Sequence, residues 1–441
     1  MSSLLTPWRK DHIIAHDSQP GEIMNTTRFQ HLQIPAAITT FDNGLAIASC
    51  EVQSAFVEVN LAVALGSMDD GDRLGIAHFI EHILFVGPTC DTVHPLLRPL
   101  ARRATDVNAW TDRYLTCYET SSGENVAEQL EALLGMTREI ITTPEAMEVE
   151  RRIILQEIEE GKYEPGFYNW RMRMLYPNAP GLHHSTDGTS ESVKALTLSN
   201  LWHHHHRWYG PSNMLVQVAS RLPHDEVLDL VASSLLLQAP RSDCLRPRPA
   251  LIPRCIQAVQ HDANESDELS MYTPLPATIS AKEKVLLSIV GDLLSHSDFG
   301  LLYRRLRPEL GVVYHVSASL IDLPGTPFLC DAKTHRKNMR QVEDEYRAAL
   351  RRIVSCTYSM ELFEAVLNDH RKRLLLQKEY APLNGCLSDL EQAWLTGKDE
   401  DIDETQIING ASYDSLAEVA AKYLLEKPIS RLRVLEGEGE K

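Results

Sequence analysis

The sequence of 441 residues lacks several features that define whole classes of protein. It has no run of about 18 or more uncharged apolar residues, so a membrane-spanning helix is not expected. It has neither a G-x-x-x-x-G-K-[ST] loop for nucleotide phosphates nor a G-x-S-x-G turn for a nucleophilic serine. Basic residues are outnumbered, with 43 Lys and Arg against 61 Asp and Glu and a net charge of −18. Because an acidic chain repels phosphate backbones, these numbers argue against a nucleic-acid partner.

Cysteine is scattered and forms no motif. Eight cysteines lie between Cys50 and Cys386, and no two of them make a C-x-x-C pair. In a chain of this length the pattern is typical of reduced thiols in the core, and not of a disulfide framework or a cysteine metal site. The first 28 residues are polar and contain no apolar segment of the kind that a secretory signal needs. These absences together predict a cytoplasmic protein.

What is present is a globular composition that is organised as an internal repeat. Hydrophobic residues make up 43% of the chain and charged residues 24%, which is ordinary for packed domains. A Pro-rich, charged segment over 238–255 has neither helical nor strand periodicity, so it is predicted to be a linker. It separates two halves of similar size, 29–237 and 256–436, which follow an N-terminal extension over 1–28.

The two halves carry the same order of patterns. Each has an alternating, strand-like stretch, a helical stretch, a second strand-like region and two further helices. The helix junctions near Thr143–Pro144 and Thr357–Met360 can be laid over one another. We therefore predict an α+β fold of two tandem homologous domains, each a mixed or antiparallel sheet covered by helices.

Candidate metal ligands lie on the first long helix of the first half. His78, Glu81 and His82 form an H-x-x-E-H motif, and apolar residues between Ile76 and Ile83 recur at helical spacing on nearly the opposite face. Histidines at positions i and i+4 can reach one ion together, and Glu81 projects between them. The alternative is a pair of solvated histidines beside a glutamate.

A second helix offers the third ligand that a catalytic zinc site requires. This helix is predicted to begin at an N-terminal cap, Thr143, and its apolar face carries Glu150, Ile153, Ile154 and Glu157. Glutamates on an apolar face are costly to bury without a partner. A metal for Glu157, and a ligand histidine or a nearby donor for Glu150, would meet that need. A partly exposed ion pair is the alternative.

These residues resemble the M16 family, the pitrilysin-like metallopeptidases with an inverted zinc-binding motif. That family is marked by H-x-x-E-H, a glutamate some 75 residues later and another glutamate seven residues before it. Here Glu157 lies 75 positions after His82, and Glu150 lies seven positions before Glu157. The resemblance implies that His78, His82 and Glu157 bind one Zn²⁺ per chain, that Glu81 is the general base and that Glu150 supports the site.

The resemblance extends over about 29–436, nearly the whole chain. The stretch Asn108, Ala109, Trp110, Thr111 is similar to the family's substrate-binding strand. The second half has no H-x-x-E-H, but Arg307 and Tyr314 have the seven-residue spacing of a family pair that lies beside the scissile carbonyl. Both side chains are donors suited to a developing oxyanion or to the substrate backbone. Outside the family context they would be a surface charge and an aromatic residue at the edge of the core.

The resemblance implies a zinc-dependent endopeptidase that cleaves unfolded peptides or a peptide precursor. Four such domains enclose the peptide in the family, so a chain of this length is expected to pair. Because the chain carries both the zinc motif and the Arg307–Tyr314 pair, we favour a homodimer over a heterodimer with a related M16 chain. Two alternatives stay open: a non-catalytic or partner-dependent subunit of a heterodimeric processing peptidase, and a peptide-binding module that does not cleave.

Overall fold

Two sheets, one in each half of the chain, form the framework of the protein. The computed structural model describes residues 22–29, 34–53, 55, 57–88, 93–103, 105–123, 125–161, 167–232, 239, 243, 251–262, 266–321, 323, 325–380, 387–388, 390–391, 393–395 and 403–436. Most of the predicted linker and of the predicted N-terminal extension therefore lies outside the described residues. No helix in these ranges has the length and the apolar composition to cross a membrane.

The first sheet has seven described strands in the order β1-β2-β3-β7-β4-β6-β5. The strands are β1 (Ile23–Phe29), β2 (Ala36–Phe41), β3 (Ala46–Glu51), β4 (Val57–Val63), β5 (Asp106–Thr111), β6 (Thr116–Ser122) and β7 (Met214–Ser220). Only β3 and β7 pair in parallel among these neighbours, so this sheet is mixed. The first described strand, β1, begins at Ile23, inside the segment predicted to be an extension, and it pairs with β2 along its length.

Eight described α-helices belong to the first half, and all but the fifth pack over one face of the first sheet. They are α1 (Ile76–Phe85), α2 (Arg98–Arg102), α3 (Val126–Met136), α4 (Pro144–Gly161), α5 (Phe167–Leu175), α6 (Ser190–Ala195), α7 (Leu198–Trp208) and α8 (His224–Ala232). The apolar positions of α1, from Ile76 to Ile83, are buried in the core as their spacing predicts. They pack against Val59 and Leu61, which lie on the inward face of β4 because side chains alternate along a strand. This packing fixes the side of α1 that carries the polar motif.

The other face of the first sheet is covered by part of the second half of the chain. Ala62 and Cys117, whose side chains point away from α1, pack against Leu387, Leu390 and Trp394. The first sheet is therefore buried on both sides over its centre, and its two faces receive helices from different halves.

The second sheet repeats this plan with five described strands in the order β10-β11-β9-β12-β8. The strands are β8 (Gln257–Asp262), β9 (Glu268–Thr273), β10 (Val313–Leu320), β11 (Phe328–Thr334) and β12 (Ser430–Glu436). The helices are α9 (Ala281–Ser295), α10 (Leu301–Arg304), α11 (Met339–Val354), α12 (Met360–Tyr380), α13 (Glu404–Asn409) and α14 (Tyr413–Tyr423). The predicted α+β class, with helix-covered sheets in both halves, is confirmed.

The halves contact each other through α5. Leu175 of this helix packs against Tyr272 and Leu432 of the second sheet. Next to this apolar contact, the Arg171 guanidinium forms an ion pair with Glu268. Because both charges are largely buried, their pairing offsets part of the desolvation cost of bringing the halves together.

Two side-chain predictions need correction. Ile153 is 42% exposed, because α4 contacts the core through Ile154 and Ile153 lies 100° further round the helix. Cys50 is disulfide-bonded, so the prediction of reduced thiols is wrong at this residue. Its side chain is completely buried on the face of β3 that meets the second half of the chain. Of the described free cysteines, Cys117 and Cys330 are buried, as predicted, but Cys255 is exposed and Cys356 is half-buried, so the predicted core position is wrong for these two.

Candidate metal centre

The start of α1 is fixed by a buried carboxylate and a glycine. Asp70 accepts hydrogen bonds from the backbone N–H groups of Gly75, at 2.6 Å, and Ala77, at 3.1 Å. These are donors that the first turn of a helix leaves unsatisfied. Gly75 has φ of +83°, and a Cβ atom there would lie 2.4 Å from the carbonyl oxygen of Asp187. Only glycine fits this close approach between the helix start and the loop around Asp187.

The first turns of α1 bring two imidazole nitrogens together. The Nε2 atoms of His78 and His82 lie 3.3 Å apart. Glu157 Oε2, on α4, is 3.9 Å from His78 Nε2 and 3.5 Å from His82 Nε2. These three side chains, each offering one ligand atom within 4.8 Å of the others, form the one group of this kind in the described part of the chain. The structure therefore brings together the three residues that the sequence analysis put forward as ligands.

Helix α4 is held in place on both sides of its carboxylates. Thr143 Oγ1 accepts from Ala146 N at 3.3 Å, which makes Thr143 the N-terminal cap that the sequence predicts. Ile154 is completely buried in the core. Arg151 donates to the carbonyl oxygens of Val193 and Leu196, which close the C-terminus of α6. The other donors of Arg151 reach Glu148 on the same helix, at 3.0–3.1 Å. Arg151 therefore pairs with Glu148, whereas Glu150 and Glu157 face the histidines.

Glu150 and Glu81, the other two predicted site residues of the first half, lie next to the three candidate ligands. His82 Nδ1 donates to Glu150 Oε2 over 3.2 Å, which leaves its Nε2 facing His78 and Glu157. Thr111, at the end of β5, donates its hydroxyl proton to Glu81 Oε2 at 2.6 Å. Glu81 is only 8% exposed, so this hydrogen bond fixes a carboxylate that water hardly reaches.

The donor set fits a zinc ion. Two nitrogen ligands at about 2.0–2.1 Å from a tetrahedral zinc stand roughly 3.4 Å apart, close to the observed separation of the Nε2 atoms. Two histidines and a carboxylate are also a common ligand set of catalytic zinc. Four carboxylates, those of Glu81, Glu150, Glu157 and Asp187, surround the two imidazoles. This excess of negative charge favours a divalent cation between them.

Burial and neighbouring charges tune the titration of these residues. Burial, together with the charge of His82, lowers the pKa of His78 to about 4, so this ring is neutral and able to bind a metal at physiological pH. Burial also lowers the pKa of His82, but the hydrogen bond to Glu150 and the surrounding carboxylates outweigh it and raise the value. Burial raises the pKa of Glu81 against the opposing hydrogen bond from Thr111. A carboxylate with a raised pKa is suited to accept a proton.

The predicted substrate strand lies at the edge of the first sheet. Asn108, Ala109, Trp110 and Thr111 belong to β5, the last strand in the described order, which pairs only with β6 among those strands. Its alternation turns Ala109 and Thr111 toward α1 and the two other residues away from it. On the face of β5 that points away from α1, the indole N–H of Trp110 donates a hydrogen bond to Glu119 at 2.6 Å, which fixes the Trp110 side chain. Their contact with substrate stays a prediction.

Arg307 and Tyr314 meet in the second half. Arg307 lies in the π-helical turn Arg305–Glu309, and its guanidinium stands 5.7 Å from the ring centres of both Tyr303 and Tyr314. Tyr314 is 78% exposed on β10, an edge strand. In the described part of the chain no hydrogen bond or ion pair joins this pair to the histidine site. Their role in catalysis therefore stays a prediction.

Two residues near the site have roles that the sequence did not reveal. Thr111 was expected only to touch substrate, yet its hydroxyl fixes Glu81. Asp187 Oδ1 lies 3.8 Å from His78 Nδ1, although it follows α1 by about 100 positions in the sequence. The Asp-Gly pair at 187–188 signals a turn, but no local pattern says against which element that turn packs.

Family models match most of both halves. The model described as "Insulinase (Peptidase family M16)" matches residues 46–182, and the model described as "Peptidase M16 inactive domain" matches residues 195–369. The first match contains the histidine motif and Glu157, whereas the second contains Arg307 and Tyr314. Together the two matches cover 312 of the 441 residues, and they leave out β1, β2, α13, α14 and β12.

Individual proteins agree with these models. An uncharacterized zinc protease of Mycobacterium leprae is 26% identical over 301 residues, which are 64% of this chain and 65% of the relative. Subunit 1 of the bovine (Bos taurus) mitochondrial cytochrome b-c1 complex is 25% identical over 197 residues, 44% of this chain and 41% of that subunit. The chain thus matches less than two thirds of the length of either relative.

A solved structure covers nearly the whole chain. A protease from Helicobacter pylori superposes with a TM-score of 0.75 at 17% identity, over 91% of this chain and 99% of that protein. At this identity the likeness speaks for the fold alone. The two family models, which match successive parts of the chain, and the relatives in sequence show that this chain belongs to the M16 family of peptidases.

Proposed function

We propose that this chain is a zinc-dependent endopeptidase that cleaves unfolded peptides or a peptide precursor. The observation that carries the proposal is the convergence of His78, His82 and Glu157 beside Glu81. Three protein ligands leave one position of a tetrahedral ion open, which is the arrangement of catalytic and not of structural zinc sites. The M. leprae relative, named a zinc protease, supports the same assignment.

Glu81 is the proton carrier of the proposed reaction. Zinc bound at this site would supply Lewis-acid activation of a peptide carbonyl and of water at neutral pH. Glu81 takes a proton from the attacking water as the new C–O bond forms. It then delivers a proton to the amide nitrogen as the C–N bond breaks, so that one new carboxylate and one amine leave the site. Thr111 holds the second oxygen of Glu81 during both transfers.

The substrate is proposed to bind as an added strand along β5. An edge strand offers unpaired backbone donors and acceptors, so an extended peptide gains main-chain hydrogen bonds with modest demands on its sequence. Thr111 lies at the end of this strand and contacts the base, which would bring the peptide backbone next to Glu81. Such a site favours unfolded segments, because the edge strands of folded proteins are usually short, covered or otherwise protected against pairing.

The proposed active unit is a homodimer in which Arg307 and Tyr314 of one chain complete the zinc site of the other. Tyr314 is exposed on an edge strand, as a residue awaiting a partner would be. Mixing inactive Glu81→Gln chains with inactive Arg307→Ala chains tests the idea. A symmetric dimer with composite sites should regain roughly a quarter of the wild-type activity after subunit exchange. No recovery, with exchange demonstrated, would favour a heterodimer or a site within one chain.

The compartment is a separate proposal. The sequence predicts the cytoplasm, but the disulfide at Cys50 opposes that prediction, because such bonds are rare in reducing compartments. We therefore propose that the chain works where Cys50 stays oxidised. Mass spectrometry of peptides from protein alkylated inside its own host cells would contradict this proposal if Cys50 were found alkylated.

The decisive experiment is a mass-spectrometric digest of unfolded peptides of roughly 15 to 60 residues, about the length of three to ten strand segments. The purified chain is compared with the chain plus a zinc chelator, and with Glu81→Gln. Internal cuts that disappear in both controls are the expected result. Cuts that persist with chelator or in Glu81→Gln would overturn the mechanism. No cleavage by a zinc-loaded chain would instead favour a partner-dependent subunit, the alternative to which the name "inactive domain" points.

A further inference from the structure

The two histidines of the site differ in what supports their far side. His82 has Glu150 at 3.2 Å from its Nδ1 atom. His78 Nδ1 is buried and, among the described residues, has no hydrogen-bond partner. A metal-binding histidine almost always donates its second ring N–H to a carboxylate, a carbonyl or water, because this contact fixes the tautomer and the ring orientation. His78 therefore lacks a support that its neighbour has.

A carboxylate, that of Asp187, faces that nitrogen. Its Oδ1 atom lies 3.8 Å from His78 Nδ1, which is an ion-pair distance but too long for a hydrogen bond. Asp187 faces the Nδ1 side of the ring, whereas His82 and Glu157 face the Nε2 side. The carboxylate thus stands behind the ligand and not among the ligand atoms. A hydrogen bond between the two atoms requires them to approach by roughly half an ångström.

The backbone around Asp187 is held tightly against the start of α1. Gly188 has φ of +81°, and a Cβ atom there would lie 2.5 Å from the carbonyl oxygen of Leu74. Gly75 makes the reciprocal approach to Asp187, and Ser192 donates its hydroxyl proton to Leu74 O at 2.8 Å. Two left-handed glycines that face each other leave no room for other side chains. The loop and the helix that carries His78 therefore keep a fixed separation.

The carboxylate itself is oriented by its own loop. Ser185 donates to Asp187 Oδ2 at 3.1 Å and Thr186 donates to Oδ1 at 3.2 Å. The side chain is 29% exposed, so it is shielded from water only in part. A carboxylate that two hydroxyls orient toward a buried, unpartnered ring nitrogen is suited to accept its proton.

We propose that Asp187 is a positioning residue that accepts the Nδ1 proton of His78 and so holds the Nε2 atom of this ring toward the zinc. The inference rests on the proposed function, since it assumes that His78 binds the metal. It gives each histidine of the motif its own carboxylate, Glu150 from α4 for His82 and Asp187 from the loop before α6 for His78.

The test is the zinc affinity of the full chain, measured by competition with a chromophoric chelator. Asp187→Ala is expected to weaken zinc binding by about 10–100-fold, the usual cost of removing such a partner. Asp187→Asn is expected to fall between this variant and the wild type, because its amide oxygen can still accept the proton but carries no charge. Glu191→Ala is the matched control, since it removes an exposed carboxylate four residues away and should change affinity by less than about twofold.

A second readout reports on the ring itself. In zinc-loaded protein with ¹⁵N-labelled histidine, the Nδ1–H resonance of His78 should be visible in the wild type and lost or broadened in Asp187→Ala. An unchanged zinc affinity and an unchanged resonance in folded Asp187→Ala would overturn the inference while leaving the proposed function intact. A wild-type chain that binds no zinc would overturn both. If Asp187→Ala does not fold, the affinity and the resonance of Asp187→Asn decide.

Discussion

Both halves join the helix beneath the sheet to a later helix through histidines and carboxylates, but they do so differently. In the second half, α9 and α12 meet where Asp292 Oδ2 lies 2.9 Å from His370 Nε2. Next to it, His296 Nε2 lies 3.0 Å from Asp369 Oδ2. Each of these histidines has its own carboxylate, and the two histidines come from different parts of the chain. These histidines therefore form separate ion pairs and do not converge on one carboxylate.

In the first half, α1 and α4 meet in the same manner, yet the polar groups converge on one point. His78 and His82 stand one turn apart on a single helix, so their Nε2 atoms face each other and share Glu157. The Nε2 lone pairs of the two imidazoles and the carboxylate oxygen all point to the same space. A metal cation can bind there and accept all three. The comparison teaches that the helix packing is common to the halves, whereas metal binding depends on two histidines at i and i+4.

The strongest test of this comparison removes one histidine from each half. His82→Gln should lose zinc and all turnover, with an affinity loss greater than the roughly 10–100-fold that follows removal of an outer partner of a ligand. His370→Gln should keep one zinc per chain and lose about 1–3 kcal/mol of unfolding free energy, because Asp292 loses a hydrogen-bond donor. Metal analysis after dialysis and urea denaturation measure the two effects. Retention of zinc by His82→Gln would contradict the assignment.

The site could be predicted from the sequence only as far as it is local. The spacing of His78 and His82, and the cap at Thr143 that sets the phase of α4, are properties of single helices. Their predicted partners, Glu150 and Glu157, followed from the cost of burying a carboxylate on an apolar face. Ile153 shows the limit of this reasoning, because the width of the buried face depends on what packs against the helix.

Contacts between distant segments lay beyond the sequence. Thr111 reaches Glu81 because β5 is the edge strand next to α1, and Asp187 reaches His78 because two glycines allow close backbone contact. No periodicity or spacing in the sequence predicts either of these two contacts. Likewise, the burial of Cys50 depends on which part of the second half covers that face of the sheet. The α+β class was accessible because alternation and helical spacing recur in both halves.

A second prediction tests whether the second half contributes to catalysis while the first half binds the metal. Arg307→Ala should lower kcat/KM by about 10²-fold, as loss of one donor to a developing oxyanion does, while zinc content stays at the wild-type level. Tyr314→Phe should have the same direction of effect. Arg340→Ala, at an exposed position of α11, is the matched control and should leave kcat/KM unchanged. Equal activity of Arg307→Ala and the control in peptide-cleavage assays would confine the chemistry to the first half.

A third prediction concerns the support of Glu81 by the edge strand. Thr111→Val keeps the shape of the side chain but removes the hydroxyl that donates to Glu81. We expect kcat to fall by about 10-fold, which corresponds to one hydrogen bond to a charged group, with zinc affinity retained. Thr120→Val, which removes a buried hydroxyl on β6 that bonds to Val59 O, is the control for threonine loss in the sheet. Equal kcat values for the two variants would remove Thr111 from the mechanism.

The smallest expected effect is a dependence of the free energy of unfolding on pH that arises in the second half. Burial raises the pKa of Asp292, but the hydrogen bonds from His370 and Arg373 outweigh it, so the folded-state pKa lies below the ordinary value of 3.8. An acid with a depressed pKa stabilises the fold above the unfolded-state pKa, and this contribution disappears as the pH falls through the folded-state value. Asp292→Asn should therefore cost about 1–3 kcal/mol of unfolding free energy at pH 6 and progressively less as the pH falls below about 4.

Urea denaturation of wild type and Asp292→Asn across this pH range measures the effect. The two curves of stability against pH should converge in acid, because the wild-type carboxyl is then protonated and no longer carries the charge that favours His370 and Arg373. Zinc affinity at neutral pH should be the same in both proteins, since Asp292 pairs with His370 and Arg373 of the second half and not with the histidine site. Stability curves of the two proteins that stay parallel in acid would show that the ionised Asp292 carboxylate does not stabilise the second half. The two helix junctions would then resemble each other only in their packing.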